Sequence, residues 1–360
     1  MQPIKPFENL LVVELASVLA GPAVGMFFAE LGARVVKVEN APVGGDMTRH
    51  WKLPSEDPTQ AHSAYYCSVN WGKEVWMKDL KQAADRTAVY ELISKADIVI
   101  SNFQAATAAK LGMDTARLQS LNPRLIIAHL SGFPEGDPRL AFDLVLQAET
   151  GFLFMSGEPD RPPSKMPVAL IDLLAAHQLK EGILIALLER AKSGKGGVVE
   201  ASLYGSALSA LANQATNYLM AGHIPQRMGS LHPNIAPYGE LFHTSEGKEM
   251  VLAVGTDKQF AGLCRALGLS HLIDHALFSN NESRVKHRSL LAGILEPAIR
   301  LVDQETLMTK LALAGVPAGR VRNLEAVFSD SEAQQLILEE VMPDGTKSKR
   351  VATVAFKFSS

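Results

Sequence analysis

The sequence predicts an α/β protein with a large doubly wound, Rossmann-like domain and a smaller α+β domain. Its 360 residues exceed what one compact core usually holds. Near the N-terminus, strand, helix and strand patterns follow one another as in the βαβ unit of a parallel sheet. Strand and helix patterns then alternate as far as Gly194, which is typical of a doubly wound sheet. The pattern changes after that residue, and we expect the second domain farther along the chain.

The first βαβ unit begins at Asn9 with the apolar run NLLVVELA, which predicts a short buried strand. The segment GPAVGMFFAELGA predicts a helix opened by Gly-Pro and closed at Gly32, and RVVKVE predicts the second strand. Two further strands are expected at ADIVISN and PRLIIAHLSG, each after a helical pattern such as DRTAVYELISKA. Ligands of such a sheet bind at the carboxyl ends of its strands.

The second half of the chain begins with SGKGGVVEASLYGSALSALANQATNYLMAG, which predicts a turn, a strand and a helix. A loop then leads into an antiparallel pair joined at Ser245-Glu246-Gly247. The pattern is mostly helical from Gly255 to about Ala314, and VPAGRV and KSKRVATVAFKF predict a return to strand. We therefore expect a large domain at 1–224, a small domain at 225–315, and a return segment to the large domain at 316–360.

Composition and charge exclude several classes of function. The net charge of −3 offers no attraction for nucleic acid or an anionic membrane. The N-terminal stretch lacks the features of a signal peptide, and Glu14 and Glu30 interrupt the longest apolar run, so we expect a cytoplasmic protein. Cys67 and Cys264 have no metal-binding spacing, which indicates two reduced core thiols and no metal site.

The first βαβ unit also resembles a dinucleotide site, because Glu39 follows Gly21 by the interval of a ribose-binding acid. The glycines, however, stand at Gly21, Gly25 and Gly32 rather than as G-x-G-x-x-G, and Pro22 occupies the tight turn. This pattern disfavours a nicotinamide cofactor. The amides at the helix start can still meet a phosphate or carboxylate, although a plain structural turn fits the spacing equally well.

The stretch SKMPVALIDLLAAHQ contains a lone aspartate, Asp172, between a strand-like run and a long helix with an apolar stripe at Leu179, Ile183 and Leu187. Aspartate is a favoured N-cap, and a capping bond with the helix dipole would stabilise its ionised form by about 1–2 kcal/mol. Residue pattern alone leaves two interpretations open: a helix cap or a nucleophile.

Five stretches together resemble the family III CoA-transferases, a group that includes formyl-CoA and carnitine CoA-transferases and the α-methylacyl-CoA racemases. The resemblance runs from about Leu10 to Val321 in the family's order. It implies an interlocked homodimer, a nucleotide-fold large domain, a small domain, and coenzyme A bound as acyl-CoA. The stretches are ASVLAGPAVGMFFAELGARVVKVENAPVGGDMTRHW, NWGKEVWMKDLK, ADIVISNF, HPNIAPYGELFHTSEG and GVPAGRV.

The resemblance assigns Asp172 as the nucleophile that forms an aspartyl-CoA thioester by way of mixed anhydrides. Family members commonly place glycine four residues later, where this chain has Ala176. Loop GSLHPN aligns with a flexible loop over the active site, with Gly229 and Ser230 as sources of mobility and N–H groups. Asp143 matches an active-site acid of formyl-CoA transferase.

For CoA itself the resemblance implies contacts from five residues. Two of these residues would flank the adenine, two are lysines that would meet phosphates, and the fifth is an asparagine. Two positions depart from the family: Asn40 replaces a common arginine, and Leu19 replaces a glutamine, which argues against formyl and oxalate substrates. Trp51 fits either a wall of the acyl pocket or a buried core position. The five CoA residues are Val18 and Phe103 at the adenine, Lys81 and Lys110 at the phosphates, and Asn102.

These residues predict a CoA-transferase that moves CoA from succinyl-CoA or acetyl-CoA to an unidentified carboxylic acid. The alternative activity, an α-methylacyl-CoA racemase, is disfavoured because Phe142 stands where the racemases have a proton-transferring histidine. The second racemase base, a glutamate, is matched by the shorter Asp257. A non-catalytic acyl-CoA-binding protein is the remaining alternative, slightly favoured by Asn40 and Leu19.

Overall fold

The computed structural model describes residues 5–137 and 139–357, which divide into two compact units. The large unit comprises the described residues of 5–152, 166–223 and 332–357. The small unit comprises 153–165 and 224–331. The longer part of the small unit begins beside the predicted boundary at 225 and extends past the predicted end at 315. The segment 153–165 was not predicted to belong to it.

Among the described residues, the large unit contains a sheet of six parallel strands in the order β3-β2-β1-β4-β5-β6. This is the strand order of dinucleotide-binding folds. Strands β2 and β3 are added on one side of β1, and β4 to β6 are added on its other side, so the strand order reverses between β1 and β4. The predicted α/β class with a parallel sheet is confirmed. The strands are β1 (Leu11–Glu14), β2 (Arg34–Asn40), β3 (Lys73–Lys78), β4 (Ile98–Ser101), β5 (Ile126–Ser131) and β6 (Gly197–Ser202).

Helices connect these strands and cover the sheet. Those of the large unit are α1 (Ala20–Glu30), α2 (Ala64–Cys67), α3 (Ala83–Ile93), α4 (Ala105–Leu111), α5 (Thr115–Leu121), α6 (Asp143–Glu149), α8 (Leu170–Ser193), α9 (Leu203–Ser209) and α10 (Ala212–Ala221). A short helix, α7 (Phe152–Met155), lies where the chain passes from the large unit to the small one. The helix predicted after β6 is two helices, α9 and α10.

The core lies on both faces of the sheet because successive strand residues point to opposite sides. On one face Val12 and Ile98 belong to a cluster with residues of α1 and α8. On the other face Val13 and Val99 belong to a second cluster with residues of α3 and α5. Both faces of β1 and β4 are therefore buried, which explains why their sequences are continuous apolar runs.

The small unit, within the residues described, has a three-stranded antiparallel sheet in the order β7-β8-β9. The hairpin predicted at Ser245-Glu246-Gly247 is confirmed, since it joins β7 to β8. Phe242, Met250 and Leu252 of this sheet pack with apolar residues of the surrounding helices. The elements are β7 (Tyr238–His243), β8 (Glu249–Ala253), β9 (Ala318–Arg320), α11 (Asp257–Ala266), α12 (Asn281–Lys286), α13 (Arg288–Ile299), α14 (Gln304–Leu313), α15 (Leu324–Phe328) and α16 (Ser331–Gln334).

The C-terminal segment returns to the large unit as an antiparallel hairpin, β10 (Ile337–Val341) and β11 (Lys347–Val351). The predicted strand KSKRVATVAFKF is correct only as far as Val351, and its last residue, Phe358, lies outside the described residues. Glu30 anchors the segment to α1, because its carboxylate accepts hydrogen bonds from Thr353 and Val354 amides and from Arg350.

Candidate active site

Asp172 is the third residue of α8, which begins at Leu170 after Ala169 in the N-cap position. The expectation that Asp172 precedes and caps the helix is therefore wrong. The run before the helix is also not a strand: Pro167 has no N–H to donate to a ladder, and residues 164–169 form an irregular segment. Leu170 and Ile171 continue the helical pattern toward the N-terminus and move the helix start ahead of the aspartate.

The electrostatic environment of Asp172 also differs from the expectation. Its side chain is buried, with the residue 8% exposed. Burial, followed by the negative charge of Asp143, raises the pKa of Asp172 from its ordinary value of 3.8 to about 7. The helix terminus thus does not hold the carboxyl in its ionised form. Near neutral pH the ionised and protonated forms coexist.

Asp143 and Gln147 hold the segment that leads to Asp172. They lie one turn apart on α6, and the Asp143 carboxylate accepts hydrogen bonds from the Ile171 amide (2.8 Å) and the Gln147 side chain (2.6 Å). The side-chain oxygen of Gln147 accepts a hydrogen bond from the Met166 N–H at 2.9 Å. The two side chains therefore bind the segment at both ends. Sequence reasoning missed Gln147, although a polar residue four positions after Asp143 was a usable signal.

Tyr65, on α2, is a second residue that sequence reasoning missed. Burial raises the pKa of Tyr65 to about 12, with a further contribution from the charges of Asp172 and Asp143. Its hydroxyl therefore stays protonated and able to donate a hydrogen bond. Its ring meets the edge of Trp51, with centroids 5.0 Å apart. Trp51 is 41% exposed and is not a buried core residue.

Three of the predicted CoA contacts lie at the carboxyl edge of the sheet, where the strand order reverses. Val18 follows β1, and Asn102 and Phe103 follow the neighbouring strand β4. The Asn102 side chain bridges the two segments by donating to the Ser17 carbonyl (3.0 Å) and accepting from the Ser17 N–H (3.3 Å). Nucleotides bind at this place in sheets of this topology.

The two predicted phosphate-binding lysines lie elsewhere in the large unit. Lys81 comes after edge strand β3, which is two strands away from β1. Lys110 is in the last turn of α4. Both residues are exposed, so their ammonium groups are accessible to a soluble ligand.

Comparison with known proteins identifies the family. The model of CoA-transferase family III matches residues 7–360. This chain belongs to CoA-transferase family III. It is 37% identical over 356 residues to a succinate–glutarate CoA-transferase of Agrobacterium fabrum, covering 97% of this chain and 88% of the relative. A succinyl-CoA–D-citramalate CoA-transferase of Chloroflexus aurantiacus is 30% identical, with 95% and 85% covered.

The fold agrees with this assignment. A crystal structure of a CaiB/BaiF family protein from Brucella suis superposes with a TM-score of 0.85 at 36% identity, covering 99% of this chain and 93% of that one. The protein is therefore an enzyme, a family III CoA-transferase, as the sequence predicted. Across the described residues, no helix combines the length and apolar character needed to cross a membrane.

Glu39 of this CoA-transferase is engaged and is not placed for a nicotinamide ribose. It is 3% exposed, and its carboxylate accepts from Arg49, from the Tyr66 hydroxyl (2.7 Å) and from the Asp46 amide (2.8 Å). Gly25 likewise has a packing role: a Cβ at that position would lie 1.9 Å from a carboxylate oxygen of buried Glu14. Gly25 of α1 therefore leaves room for a buried charge beneath the helix.

In the small unit of the CoA-transferase, the backbone at Gly229 favours glycine. Its φ is +60°, and a Cβ would lie 2.6 Å from a carboxylate oxygen of Glu158. Ser230 follows, and its hydroxyl donates to the Gly239 carbonyl. Asp257 begins α11 and forms an ion pair with the buried guanidinium of Arg284 at 2.7 Å.

The loop that contains Gly229 and Ser230 is also held from α13. One guanidinium nitrogen of Arg288 donates to the carbonyls of His232 and Ile235, both at 2.7 Å. The mobility predicted for this loop stays a prediction.

Proposed function

We propose that this enzyme moves CoA from succinyl-CoA or acetyl-CoA to a carboxylic acid, with Asp172 as the nucleophile. The observation that carries the proposal is a buried carboxyl group with a pKa of about 7 at the start of α8, in the position that the family resemblance assigns to the nucleophile. Poor solvation makes its ionised form reactive, and near neutral pH a large fraction is ionised.

The proposed reaction proceeds in four displacements and consumes no net proton. The Asp172 carboxylate attacks the donor thioester, the C–S bond breaks, and a mixed anhydride and CoA thiolate result. The thiolate attacks the aspartyl carbonyl, which releases the donor acid and leaves aspartyl-CoA. The acceptor carboxylate attacks this thioester, which gives a second mixed anhydride and releases the CoA thiolate. The thiolate then attacks the acyl carbonyl of the acceptor, which forms the new acyl-CoA and restores the Asp172 carboxylate.

Each displacement passes through a tetrahedral oxyanion that needs a hydrogen-bond donor. The hydroxyl of Tyr65, whose pKa burial and the charge of Asp172 raise to about 12, stays protonated and is a proposed donor. On the family resemblance Gly229 and Ser230 remain proposed amide donors, and Asp257 a proposed supporting acid. For Gly229 this role requires its N–H to leave the Gly157 carbonyl, to which it donates at 2.9 Å. Asp143 would keep Asp172 positioned through the Ile171 amide.

We further propose that CoA binds at the edge formed by Val18, Asn102 and Phe103, with Lys81 and Lys110 at its phosphates. The support is the position of the first three residues at the reversal of strand order, together with the exposure of both lysines. Lysine ammonium groups interact with phosphate as point charges, so a defined geometry is not required of them.

We propose that two copies form the interlocked homodimer of the family. Helix α10, all of whose residues are described, has none that is buried in the single chain. Leu219 and Met220 on it are 77% and 84% exposed, and on α8 Ile185 and Leu188 are more than half exposed. Apolar surface of this kind marks an interface. Sedimentation should give twice the mass of the chain; a monomer would contradict this part of the proposal.

We also propose that the enzyme acts in the cytoplasm. Cys67 and Cys264 support this, because both are buried and free, as is usual for thiols of a reducing compartment.

The mechanism is tested by trapping the intermediate. Protein incubated with succinyl-CoA and then borohydride or hydroxylamine should carry a modification on the peptide containing Asp172, as read by mass spectrometry. Asp172→Ala should lose both label and transfer, whereas Asp160→Ala, which removes an exposed carboxylate, should retain them. Full transfer by Asp172→Ala would contradict the assignment.

The two alternative functions give different results in the same preparation. A racemase would exchange the α-proton of an acyl-CoA in deuterium oxide without any acceptor acid; Phe142 and the Asp257–Arg284 ion pair both disfavour this. A non-catalytic protein would bind CoA without a covalent adduct. The acceptor is best sought with a panel of acids, beginning with glutarate and D-citramalate because relatives are named for them.

A further inference from the structure

The turn after β1 contains an unusual backbone conformation at Val18. Its φ is +74°, in the left-handed region that β-branched residues rarely adopt. Such a conformation persists only where the surroundings hold it, and it concentrates at ligand-binding sites. The Val18 N–H points to a single side chain, the Asp46 carboxylate, with the two oxygens at 3.1 and 3.4 Å.

Asp46 is itself held rigidly. It is 3% exposed, and its carboxylate also accepts from the Thr48 amide (3.1 Å) and the Thr48 hydroxyl (2.8 Å). The fully buried Lys37 forms an ion pair with it at 3.1 Å. The same ammonium group pairs with buried Glu14 at 2.9 Å. A buried carboxylate with this many partners has one orientation available.

The neighbouring residues of the turn are bound in the same way. The Lys37 ammonium donates to the Ala16 carbonyl at 2.9 Å, and Asn102 binds both the N–H and the carbonyl of Ser17. Side chains from β2, from the segment after β2 and from the segment after β4 therefore bind the backbone of three consecutive residues. This leaves the turn no freedom to relax at Val18.

We propose that Asp46 is a positioning residue for CoA: it holds Val18 in the left-handed conformation and so presents the 17–19 turn to the nucleotide. The inference rests on the proposed binding of CoA at this edge. A carboxylate in the ionised state is needed, because it must accept from Val18 and Thr48 while pairing with Lys37. Glycine at position 18 would adopt the same conformation without help, which makes the idea testable.

The experiment is a double-mutant cycle on CoA affinity, measured by calorimetry with free CoA. Asp46→Asn should weaken binding at least about tenfold, because Val18 leaves the left-handed region once its acceptor is displaced. Val18→Gly should weaken binding modestly by removing a side chain from the site. In the Val18→Gly background, Asp46→Asn should weaken binding less than about threefold. Equal losses in both backgrounds would overturn the proposal.

Two additions keep the result decisive. Thr48→Val removes one donor to Asp46 without removing buried charge, and it takes the place of Asp46→Asn if that variant does not fold. It should weaken CoA binding by a smaller factor, and this weakening should again be smaller in the Val18→Gly background. Asp303→Asn is the control, since Asp303 accepts a backbone N–H at the start of α14 in the small unit. Its affinity for CoA should equal that of the wild type.

Hydrogen exchange without CoA separates this inference from the proposed function. The Val18 amide should be protected in the wild type and exchange at least about tenfold faster in Asp46→Asn or Thr48→Val. If the wild type does not bind CoA, the proposed site is wrong, and the exchange measurement alone decides whether Asp46 holds the turn. Unchanged exchange in both variants would overturn the inference whatever the affinity for CoA.

Discussion

Replacing Asp172 with asparagine should stabilise this protein, and the gain should grow with pH. Burial and the charge of Asp143 raise the pKa of Asp172 from 3.8 to about 7, so the folded state binds this proton more tightly than the unfolded chain. Below pH 3.8 both states hold the proton and there is no penalty. Between that pH and about 7 only the unfolded chain ionises, and stability falls by about 1.4 kcal/mol for each pH unit.

Above pH 7 the penalty is constant at about 4 kcal/mol, from a pKa difference of roughly three units. At pH 5.5 it is about 2 kcal/mol by the same relation. Asp172→Asn keeps the shape of the side chain and removes the charge. Its stability relative to the wild type should therefore increase by about 2 kcal/mol between pH 5.5 and pH 8, equivalent to a melting-temperature difference of roughly 4–8 °C.

Urea denaturation of both proteins at pH 5.5, 7 and 8 measures this difference directly. Asp160→Asn serves as a control, because Asp160 is exposed, and its difference from the wild type should not vary over that range. Parallel pH profiles for the wild type and Asp172→Asn would refute the reasoning, as would a variant that is less stable than the wild type at pH 8.

Four other outcomes follow from the same contacts. The kcat/KM for transfer should rise about tenfold per pH unit below pH 7 and level off above it, in initial-rate measurements, because only ionised Asp172 attacks in the proposed mechanism. Gln147→Leu should lower kcat by about tenfold or more with little change in KM for acyl-CoA, since Asp143 loses its donor and one end of the segment is released. Asp143→Asn should reduce the fraction of covalent adduct seen by intact-protein mass spectrometry, because it lowers the pKa of Asp172. Glu30→Ala should destabilise the fold by about 3 kcal/mol in urea denaturation, because it leaves the buried Arg350 unpaired.

Each of these predictions has either a control variant or a result that would contradict it. A pH profile that is flat between 5.5 and 8 would contradict the first, and Gln119→Leu, on the exposed surface of α5, controls for the second. An unchanged adduct fraction would contradict the third. For the fourth, Glu8→Ala removes an exposed carboxylate instead and should change stability by less than about 0.5 kcal/mol.

The sheet was largely predictable because its central strands are buried on both faces. In a chain of this length, a short continuous apolar run such as that of β1 is compatible with few structures other than a buried parallel strand. Strand β3 was missed because it lies at the edge of the sheet: Lys73, Glu74 and Lys78 interrupt its apolar residues, and Glu74 and Met77 are exposed. The start of α8 was misplaced by three residues because aspartate fits both a cap and a first turn.

The meeting of three predicted CoA contacts at one sheet edge was predictable, but their backbone conformation and hydrogen bonds were not. Val18, Asn102 and Phe103 come together because the strand order places the ends of β1 and β4 side by side, which the βαβ pattern implies. Nothing in the order of residues indicates that Val18 adopts a left-handed conformation, or that the acceptor which holds it is Asp46. Such contacts depend on the packing of segments that are far apart in sequence.

The position of Asp172 inside α8 changes how its carboxylate would act in the enzyme. A capped aspartate would be stabilised as a carboxylate, and each covalent step would have to sacrifice that stabilisation. The buried aspartate is instead destabilised as a carboxylate, by burial and by the negative charge of Asp143. Anhydride and thioester both remove the charge from its oxygen, so forming either releases the penalty. The environment that weakens the folded protein at pH 8 would therefore favour the covalent intermediates of the proposed mechanism.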